Sequence, residues 1–305
     1  MKLSSKTVGG ISRTKIGLWV ALSLLAGLAQ AQAPEAGRAG PAAGAGAGGR
    51  FRMDPIDSRV QQRTYLFADT DETLPYAVYV PSTYSKDKKT PMVLALHGFS
   101  GSHATFMRTA CVDEAEKYGY LLVGPMGYSP SGSFGMPFGG GRGGRGAAPP
   151  REGQPGGLKE TDGAKVAELS EKDAMNVLAM VRKEFNIDDN RIYLMGHSLG
   201  GGGALHMGDK YSTIWAGVAA LAPAPFGFQW TADSKLKNVP LLIIQGDADT
   251  TVRPAGSQQL SEELKGLKFQ SEYTLLPGLD HGGIIAGSMP DVFKFFAAHT
   301  KPGSK

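Results

Sequence analysis

The pentapeptide Gly196-His197-Ser198-Leu199-Gly200 points to chemistry more directly than any other segment of this sequence. It has the pattern Gly-x-Ser-x-Gly, follows an apolar run at residues 191–195, and precedes small residues that can open a helix. A serine on a sharp strand-to-helix turn presents its hydroxyl above the sheet edge, and the flanking glycines leave room for the neighbouring strand and helix. The pattern also occurs by chance in glycine-rich turns. The interpretation of Ser198 as a nucleophile therefore depends on partners elsewhere in the chain.

A nucleophilic serine needs a base, and the base needs an acid that fixes its tautomer. With this pattern the acid and then the histidine follow the serine, each at the end of a later strand. The apolar run 241–245 is followed by Asp247 and Asp249, and the run 273–276 is followed by His281. We therefore predict that His281 is the base. The strand ends alone leave two candidates for the acid.

Hydrogen-bond donors for the oxyanion are the third requirement of this chemistry. The apolar run 92–96 reads as a buried strand and ends in His97-Gly98-Phe99. A His-Gly turn at the end of an early strand can aim the backbone N–H of Phe99 at the reacting carbonyl, and the N–H of Leu199 would be the second donor. The alternative is an ordinary glycine turn between a strand and a helix.

With these motifs, the chain resembles the secreted α/β-hydrolase esterases related to polyhydroxybutyrate depolymerases and feruloyl esterases, which are similar to prolyl-oligopeptidase-like hydrolases. The resemblance covers roughly residues 74–299. It implies a serine ester hydrolase that works through an acyl-enzyme with no cofactor. The family pattern Gly-x-x-Asp-x-x-Val falls on Gly246, Asp249 and Val252, so the resemblance implies the triad Ser198, Asp249 and His281. The resemblance leaves the acyl and alcohol specificity open.

Residues 1–31 have the features of a secretory signal peptide: a basic start, a short apolar stretch and the cleavage pattern Ala29-Gln30-Ala31. An uncleaved anchor is the alternative, although the apolar stretch is short for a span. Without residues 1–31 the chain has 28 basic and 28 acidic residues. We therefore expect a secreted or periplasmic protein with no stable membrane anchor after cleavage and no nucleic-acid partner.

Residues 32–58, rich in Ala, Gly and Pro at their start, are predicted to be a flexible leader to a catalytic domain at residues 59–300. Within that domain, strand-like and helix-like segments alternate, which is typical of an α/β fold with a doubly wound, mostly parallel sheet and helices on both faces. Strands are predicted near residues 63–67, 76–80, 92–97, 121–125, 191–196, 216–222, 241–245 and 272–276, and helices near 103–118, 172–185, 199–211, 256–267 and 289–299.

A Gly/Pro-rich insert at residues 131–157 breaks this alternation. It is either a disordered surface loop or a flap on the side of the sheet where catalytic loops gather. In the second case Phe134 and Phe138 would touch substrate, and Trp230 is a further candidate for the substrate pocket. RGG-like sequence can bind RNA, but export argues against that function.

Two other functions stay open. A serine peptidase of the prolyl-oligopeptidase-like type would use the same triad, and a binding protein with a hydrolase fold would use none. The substrate we expect is a small or polymeric ester. The sequence indicates no metal site and no oligomeric state, and the lone Cys111 reads as a buried, inert thiol.

Overall fold

The computed structural model describes residues 55–136, 159–160, 162–224 and 227–301. Eight strands of these residues form one sheet, in the spatial order β1-β2-β4-β3-β5-β6-β7-β8. In chain order they are β1 (Gln61–Phe67), β2 (Glu72–Tyr79), β3 (Thr90–Leu96), β4 (Leu121–Pro125), β5 (Ile187–His197), β6 (Gly217–Leu221), β7 (Leu241–Gly246) and β8 (Ser271–Leu276).

The pairs β1–β2 and β2–β4 are antiparallel, whereas the pairs from β4 through β8 are parallel. Strands β3, β4, β6 and β7 are buried along their whole length. This explains why they read as continuous apolar runs, since strands covered on both faces have no solvent side. The predicted α/β fold with a mostly parallel sheet is confirmed.

Helices cover both faces of the sheet. They are α1 (Thr109–Tyr118), α2 (Gly163–Glu184), α3 (Leu199–Lys210), α4 (Pro254–Gly266), α5 (Gly283–Gly287) and α6 (Met289–Ala298), with a 3₁₀ turn at Lys235–Asn238. One core cluster contains buried side chains of α2, α3 and α4, and a second contains those of α1, α5 and α6. Along β3 the side chains alternate between the clusters, with Met92 and Leu94 in the first and Val93 in the second.

Helix α6 shows how the sequence pattern produces this packing. Its buried residues Met289, Val292, Phe293 and Phe296 recur at helical spacing, so they lie on one face. Burying each of these side chains contributes about 1.5–3 kcal/mol to the stability of the fold. The helix predicted near residues 289–299 ends in the structure at Ala298.

Two predicted helices have different starts in the structure. Helix α2 begins at Gly163 rather than near residue 172, because Asp162 caps it by accepting a hydrogen bond from the Lys165 N–H at 2.9 Å. Helix α1 begins at Thr109 rather than near residue 103, because backbone hydrogen bonds such as that from the Met107 N–H to the Ala104 carbonyl form turns there.

The first residues of the predicted insert pack into the domain. The Phe134 N–H donates to Ser170 Oγ and the Gly135 N–H donates to the Ala167 carbonyl, both at 2.9 Å. Residues 137–158 lie outside the described residues. The irregular composition of the insert therefore hides a fixed starting segment at residues 131–136.

The predicted signal peptide and most of the predicted leader also lie outside the described residues. The end of the leader contacts the domain, since the Asp57 N–H donates to the Met107 carbonyl at 2.9 Å. Among the described residues, no helix combines the length and the apolar character that crossing a membrane requires.

Candidate active site

Ser198 lies on the turn between β5 and α3, with φ 55° and ψ −114°. This region favours glycine, so a serine there is strained. A Cβ at Gly196 would collide with the Gly200 carbonyl, and a Cβ at Gly200 would collide with the Leu96 carbonyl of β3. The two motif glycines are therefore needed for the close contact among strand, turn and helix that holds Ser198 in this conformation.

The structure brings the three predicted triad residues together. His281, after β8, has its Nε2 at 2.9 Å from Ser198 Oγ, and its Nδ1 at 2.7 Å from Asp249 Oδ2. A carboxylate only accepts hydrogen bonds, so Nδ1 carries the proton and Nε2 is free to accept the proton of the serine hydroxyl. This is the protonation pattern that a serine nucleophile requires of its base.

Asp249, after β7, is 3% exposed and fully hydrogen-bonded. Its Oδ1 accepts the N–H groups of Thr251 and Val252 at 2.8 and 2.9 Å, and its Oδ2 accepts Gln245 Nε2 at 3.0 Å besides the His281 ring. Burial on its own would raise the pKa of Asp249, but the hydrogen bonds from His281, Val252 and Thr251 outweigh it and leave the pKa below its usual value. Asp249 therefore stays charged beside the base.

The second candidate for the acid has another partner. Asp247 is exposed, and its Oδ1 accepts the N–H of Gly278 at 2.6 Å. Asp280, the neighbour of His281, likewise accepts the Gly283 N–H at 2.7 Å. Both side chains therefore stabilise turns, and neither has a hydrogen bond to the His281 ring.

The loop after β3 lies directly beside Ser198. A Cβ at Gly98 would be 3.2 Å from the Cβ of Ser198, so only glycine allows this approach without displacing the serine. Next to it, Phe99 has a side chain that is 54% exposed. Within the described residues, the N–H groups of Phe99 and Leu199 donate to no protein acceptor. The two predicted oxyanion donors are thus free to donate hydrogen bonds to a ligand oxygen.

The predicted substrate residues have different positions. Phe134 is fully buried, with its ring centroid 5.4 Å from that of His97 and its Cβ against Gly203, so the structure contradicts its predicted contact with substrate. The physical reason is packing, because the Phe134 ring fills the space between the His97 ring and Gly203. Phe138 lies outside the described residues. Trp230 is 9% exposed and lies at a cavity of about 190 Å³.

This cavity adjoins the serine turn. One of its wall residues, Ala224, donates its N–H to the Ser198 carbonyl at 3.0 Å. The wall is mainly apolar and includes the ring pair Phe228 and Trp230, whose centroids are 5.1 Å apart at an interplanar angle of 32°. A flat apolar group could be held there. The other lining residues include Leu205, Pro223 and Leu260.

Sequence reasoning missed two residues of the site. Gln245 is fully buried at the end of β7, where its amide donates to Asp249 and to the Val252 carbonyl, and Ser257 Oγ donates to its Oε1 at 2.7 Å. The sequence signal that could have identified Gln245 is its polar side chain at the end of the apolar run 241–245. His197, inside the serine motif, contacts His281, with its Nε2 at 2.7 Å from the His281 carbonyl oxygen. Its place in the Gly-x-Ser-x-Gly motif is in itself sufficient reason for its presence, so the sequence predicts no separate role for it.

Among the residues that the structure describes, no group of three or more His, Cys, Asp or Glu side chains could hold a metal ion. Cys111 is buried in α1, and burial raises the pKa of its thiol to about 12.

Solved structures with the same fold are esterases and related hydrolases. A ferulic acid esterase of the fungus Anaeromyces mucronatus is 20% identical with a TM-score of 0.59, over 78% of this chain and 91% of that one. An S-formylglutathione hydrolase from Agrobacterium tumefaciens is 21% identical with a TM-score of 0.58, over 78% and 94%. A thermostable esterase is 18% identical with a TM-score of 0.56, and the 81% of this chain that matches spans 64% of its length.

No curated protein matches the chain. Residues 68–274, about two thirds of the sequence, match the family described as "Putative esterase". The resemblance to esterases that the motifs indicated is confirmed at this level. Since the match spans more than half of its length, the chain belongs to this esterase family.

Proposed function

We propose that this protein is an exported serine carboxylic-ester hydrolase that works through an acyl-enzyme. The observation that carries the proposal is the pair of hydrogen bonds joining Ser198 Oγ, the His281 ring and Asp249, at 2.9 and 2.7 Å. A hydroxyl on one side of an imidazole and a buried carboxylate on the other is the arrangement that activates a serine. Membership of the esterase family supports an ester as the substrate.

In the acylation half-reaction, Ser198 Oγ attacks the ester carbonyl carbon while its proton passes to His281 Nε2. The carbonyl π electrons move to the oxygen, and the N–H groups of Phe99 and Leu199 donate to this oxyanion. Asp249 stabilises the imidazolium that has formed. When the tetrahedral intermediate collapses, the bond to the alcohol oxygen breaks and the leaving alcohol takes the proton from His281.

Deacylation repeats these steps with water. His281 takes a proton from the water molecule as its oxygen attacks the acyl carbon, and the same two N–H groups bind the oxyanion. Collapse breaks the bond to Ser198 Oγ, which recovers the proton from His281. The products are a carboxylic acid and free enzyme, so the reaction is balanced without a cofactor.

The choice of ester over peptide rests on the family. A peptidase with this triad would also cleave activated amides, and a binding protein with this fold would cleave neither substrate. Parallel assays with p-nitrophenyl acetate and an amino-acid p-nitroanilide separate the three functions. We expect turnover of the ester and a kcat/KM on the anilide at least about 100-fold lower.

Hydroxycinnamate esters are the first substrates to test. The ferulic acid esterase from Anaeromyces mucronatus has also been solved in complex with ferulic acid. In the present protein, the cavity beside the Ser198 turn has an aromatic wall and a volume of about 190 Å³. An ester with a flat aryl group suits such a wall.

Export is the second part of the proposal and rests on the sequence of residues 1–31. Cleavage after Ala31 would leave a chain that begins at Gln32. N-terminal sequencing of protein recovered from the periplasm or the medium tests this. Recovery only in the cytoplasm, with residues 1–31 still attached, would contradict it.

The decisive experiment for the chemistry is Ser198→Ala, assayed on p-nitrophenyl acetate and with a fluorophosphonate probe. We expect kcat to fall by about 10³-fold or more and covalent labelling to disappear. Ser261→Ala is the control, because this serine is buried in α4 and its Oγ has no partner among the described residues. Labelling of the Ser198→Ala variant at the wild-type rate would refute the proposed nucleophile.

A further inference from the structure

His197, the residue before Ser198, contacts the main chain of His281. Its Nε2 is 2.7 Å from the His281 carbonyl oxygen, and the two imidazole ring centroids are 4.6 Å apart at an interplanar angle of 46°. A carbonyl only accepts hydrogen bonds, so Nε2 of His197 carries the proton. His197 therefore donates to the residue that the proposed function uses as the base.

The other edge of the His197 ring lies against the loop after β3. A Cβ at Gly98 would be 3.0 Å from His197 Nδ1, so the ring contacts the backbone beside Phe99. His197 thus lies between the proposed oxyanion loop and the proposed base, and it is covalently joined to Ser198.

The segment that carries His281 has little other main-chain support at this residue. Within the described residues, the hydrogen bond from His197 is the only one made by the N–H or the carbonyl of His281. Neighbouring residues are bonded elsewhere, as in the Ile284 N–H to the Asp280 carbonyl at 3.1 Å. Loss of the His197 bond would free the backbone of His281 while leaving the rest of the loop attached.

His197 carries no charge in this position. Burial, and next the neighbouring His281, lower its pKa to about 4. The ring is therefore neutral in any assay near neutral pH and does not repel the imidazolium that forms on His281 during catalysis. A neutral donor can hold the base in place through the whole cycle.

We propose that His197 is a positioning residue that fixes the distance between His281 Nε2 and Ser198 Oγ by holding the His281 carbonyl. This inference rests on the proposed function, since it concerns the same base and nucleophile. A misplacement of reacting groups by about 1 Å can lower kcat about 100-fold. The loss should fall on kcat, because His197 is 7% exposed and has no surface for a substrate.

A matched pair of substitutions tests this. In His197→Gln the amide nitrogen can reach the place of Nε2 and donate to the His281 carbonyl, whereas in His197→Asn the shorter side chain cannot. We expect His197→Asn to lower kcat about 100-fold with KM within about 3-fold, and His197→Gln to recover at least about 10-fold of that loss. The rate of fluorophosphonate labelling should follow kcat in both variants.

His299→Asn is the control, because His299 Nδ1 makes the same type of bond, to the Phe295 carbonyl at 2.8 Å, in α6. It should keep the wild-type kcat. Thermal melting distinguishes a misplaced His281 from a destabilised fold. Equal melting temperatures of the Gln and Asn variants with unequal kcat support the proposal. Equal kcat in these two variants, or a kcat of His197→Asn within about 3-fold of wild type, would overturn it. If Ser198→Ala stays active, the proposed function itself fails.

Discussion

Two buried aspartates of this protein have opposite pKa shifts. Asp249 and Asp173, in the middle of α2, are 3% and 0% exposed. The pKa of Asp249 is below its usual value, as described above. Burial raises the pKa of Asp173 from its ordinary 3.8 to about 6, although the Tyr65 hydroxyl and the N–H groups of Tyr128 and Gly127 all donate to it.

Depth of burial and the kind of partner together explain this contrast, because Asp173 is enclosed more completely than Asp249 and loses more hydration. Asp249 accepts four hydrogen bonds and Asp173 accepts three. Among their partners, only His281 can become a cation, and its attraction further lowers the pKa of Asp249. Neutral donors at Asp173 do not offset the loss of hydration. At Asp249, a partner that can take up a proton therefore helps to keep the carboxylate charged.

Asp173 supports the site at a distance. Gly127 and Tyr128, whose N–H groups it accepts, both have positive φ, 66° and 58°. The chain then reaches Pro130, whose carbonyl accepts the Ser100 N–H at 2.8 Å in the loop beside Phe99. Asp173 thus stabilises a strained turn on which the proposed oxyanion loop rests. Asp249 instead contacts His281, the proposed base, directly.

Asp249→Asn is expected to have the largest effect on activity. The side-chain oxygen of the asparagine would stay with the N–H groups of Thr251 and Val252, so its NH₂ would face His281. Nδ1 must then accept, the proton moves to Nε2, and the ring can no longer take the proton of Ser198. We expect kcat to fall on the order of 10⁴-fold. Steady-state kinetics on p-nitrophenyl acetate measure it, and a loss below about 10-fold would contradict the assignment of the acid.

Asp173→Asn should change how stability depends on pH. In the wild type the folded state binds this proton more tightly than the unfolded state, so stability falls as pH rises from about 4 to about 6. A shift of about two pKa units corresponds to about 3 kcal/mol. The asparagine does not titrate. We therefore expect the free energy of unfolding of the variant, relative to wild type, to increase by about 2 kcal/mol between pH 4 and pH 7, since the unfolded state is already partly ionised at pH 4.

Urea unfolding of both proteins at several pH values measures this difference, and other titrating groups cancel in it. A relative stability that stays constant between pH 4 and pH 7 would mean that Asp173 does not hold its proton more tightly when folded. The activity of the variant should stay within about 10-fold of wild type, because the side-chain oxygen can still accept the N–H groups of Gly127 and Tyr128.

These two aspartates also show what the sequence could predict. Ser198 and His281 carry local signals, so short segments predicted the sheet and these two residues. Asp249 needed the family pattern Gly-x-x-Asp-x-x-Val as well, because the end of the strand alone left Asp247 open. Asp173 lies within a helix, and its partner Tyr65 is 108 residues away. A contact over that separation leaves no local pattern in the sequence.

The burial of Phe134 was missed for a different reason, because the segment that contains it has a strong but misleading composition. The composition of residues 131–157 indicates a loop as a whole, but the first six residues are held by hydrogen bonds to Ser170 and Ala167 of α2. Those acceptors lie in the part of α2 that the sequence pattern did not assign to the helix. The composition of the whole segment therefore did not reveal that one of its aromatic side chains is buried.

Tyr65→Phe tests Asp173 through its partner and should have a smaller effect than Asp173→Asn. It removes the hydroxyl that donates to Asp173 at 2.5 Å and leaves the ring in place. A hydrogen bond to a charged group contributes about 1.5–3 kcal/mol. We expect a loss in that range at pH 8, where Asp173 is ionised, and a smaller loss at pH 4, where it is protonated. Equal losses at the two pH values would show that the carboxyl does not change its charge in this range.

Asp247→Asn should have the smallest effect and is the direct counterpart of Asp249→Asn. Asp247 is exposed, and its Oδ1 accepts only the Gly278 N–H among the described residues, a bond that an asparagine oxygen can keep. An exposed polar substitution of this kind usually changes stability by no more than about 0.5 kcal/mol. Its kcat should stay within about 2-fold of wild type, because the carboxylate has no bond to the His281 ring. Thermal melting and kinetics under the conditions used for Asp249→Asn make the comparison. If Asp247→Asn lost activity by orders of magnitude while Asp249→Asn kept it, the acid would be Asp247. A buried position next to His281 would then not identify the acid of the triad.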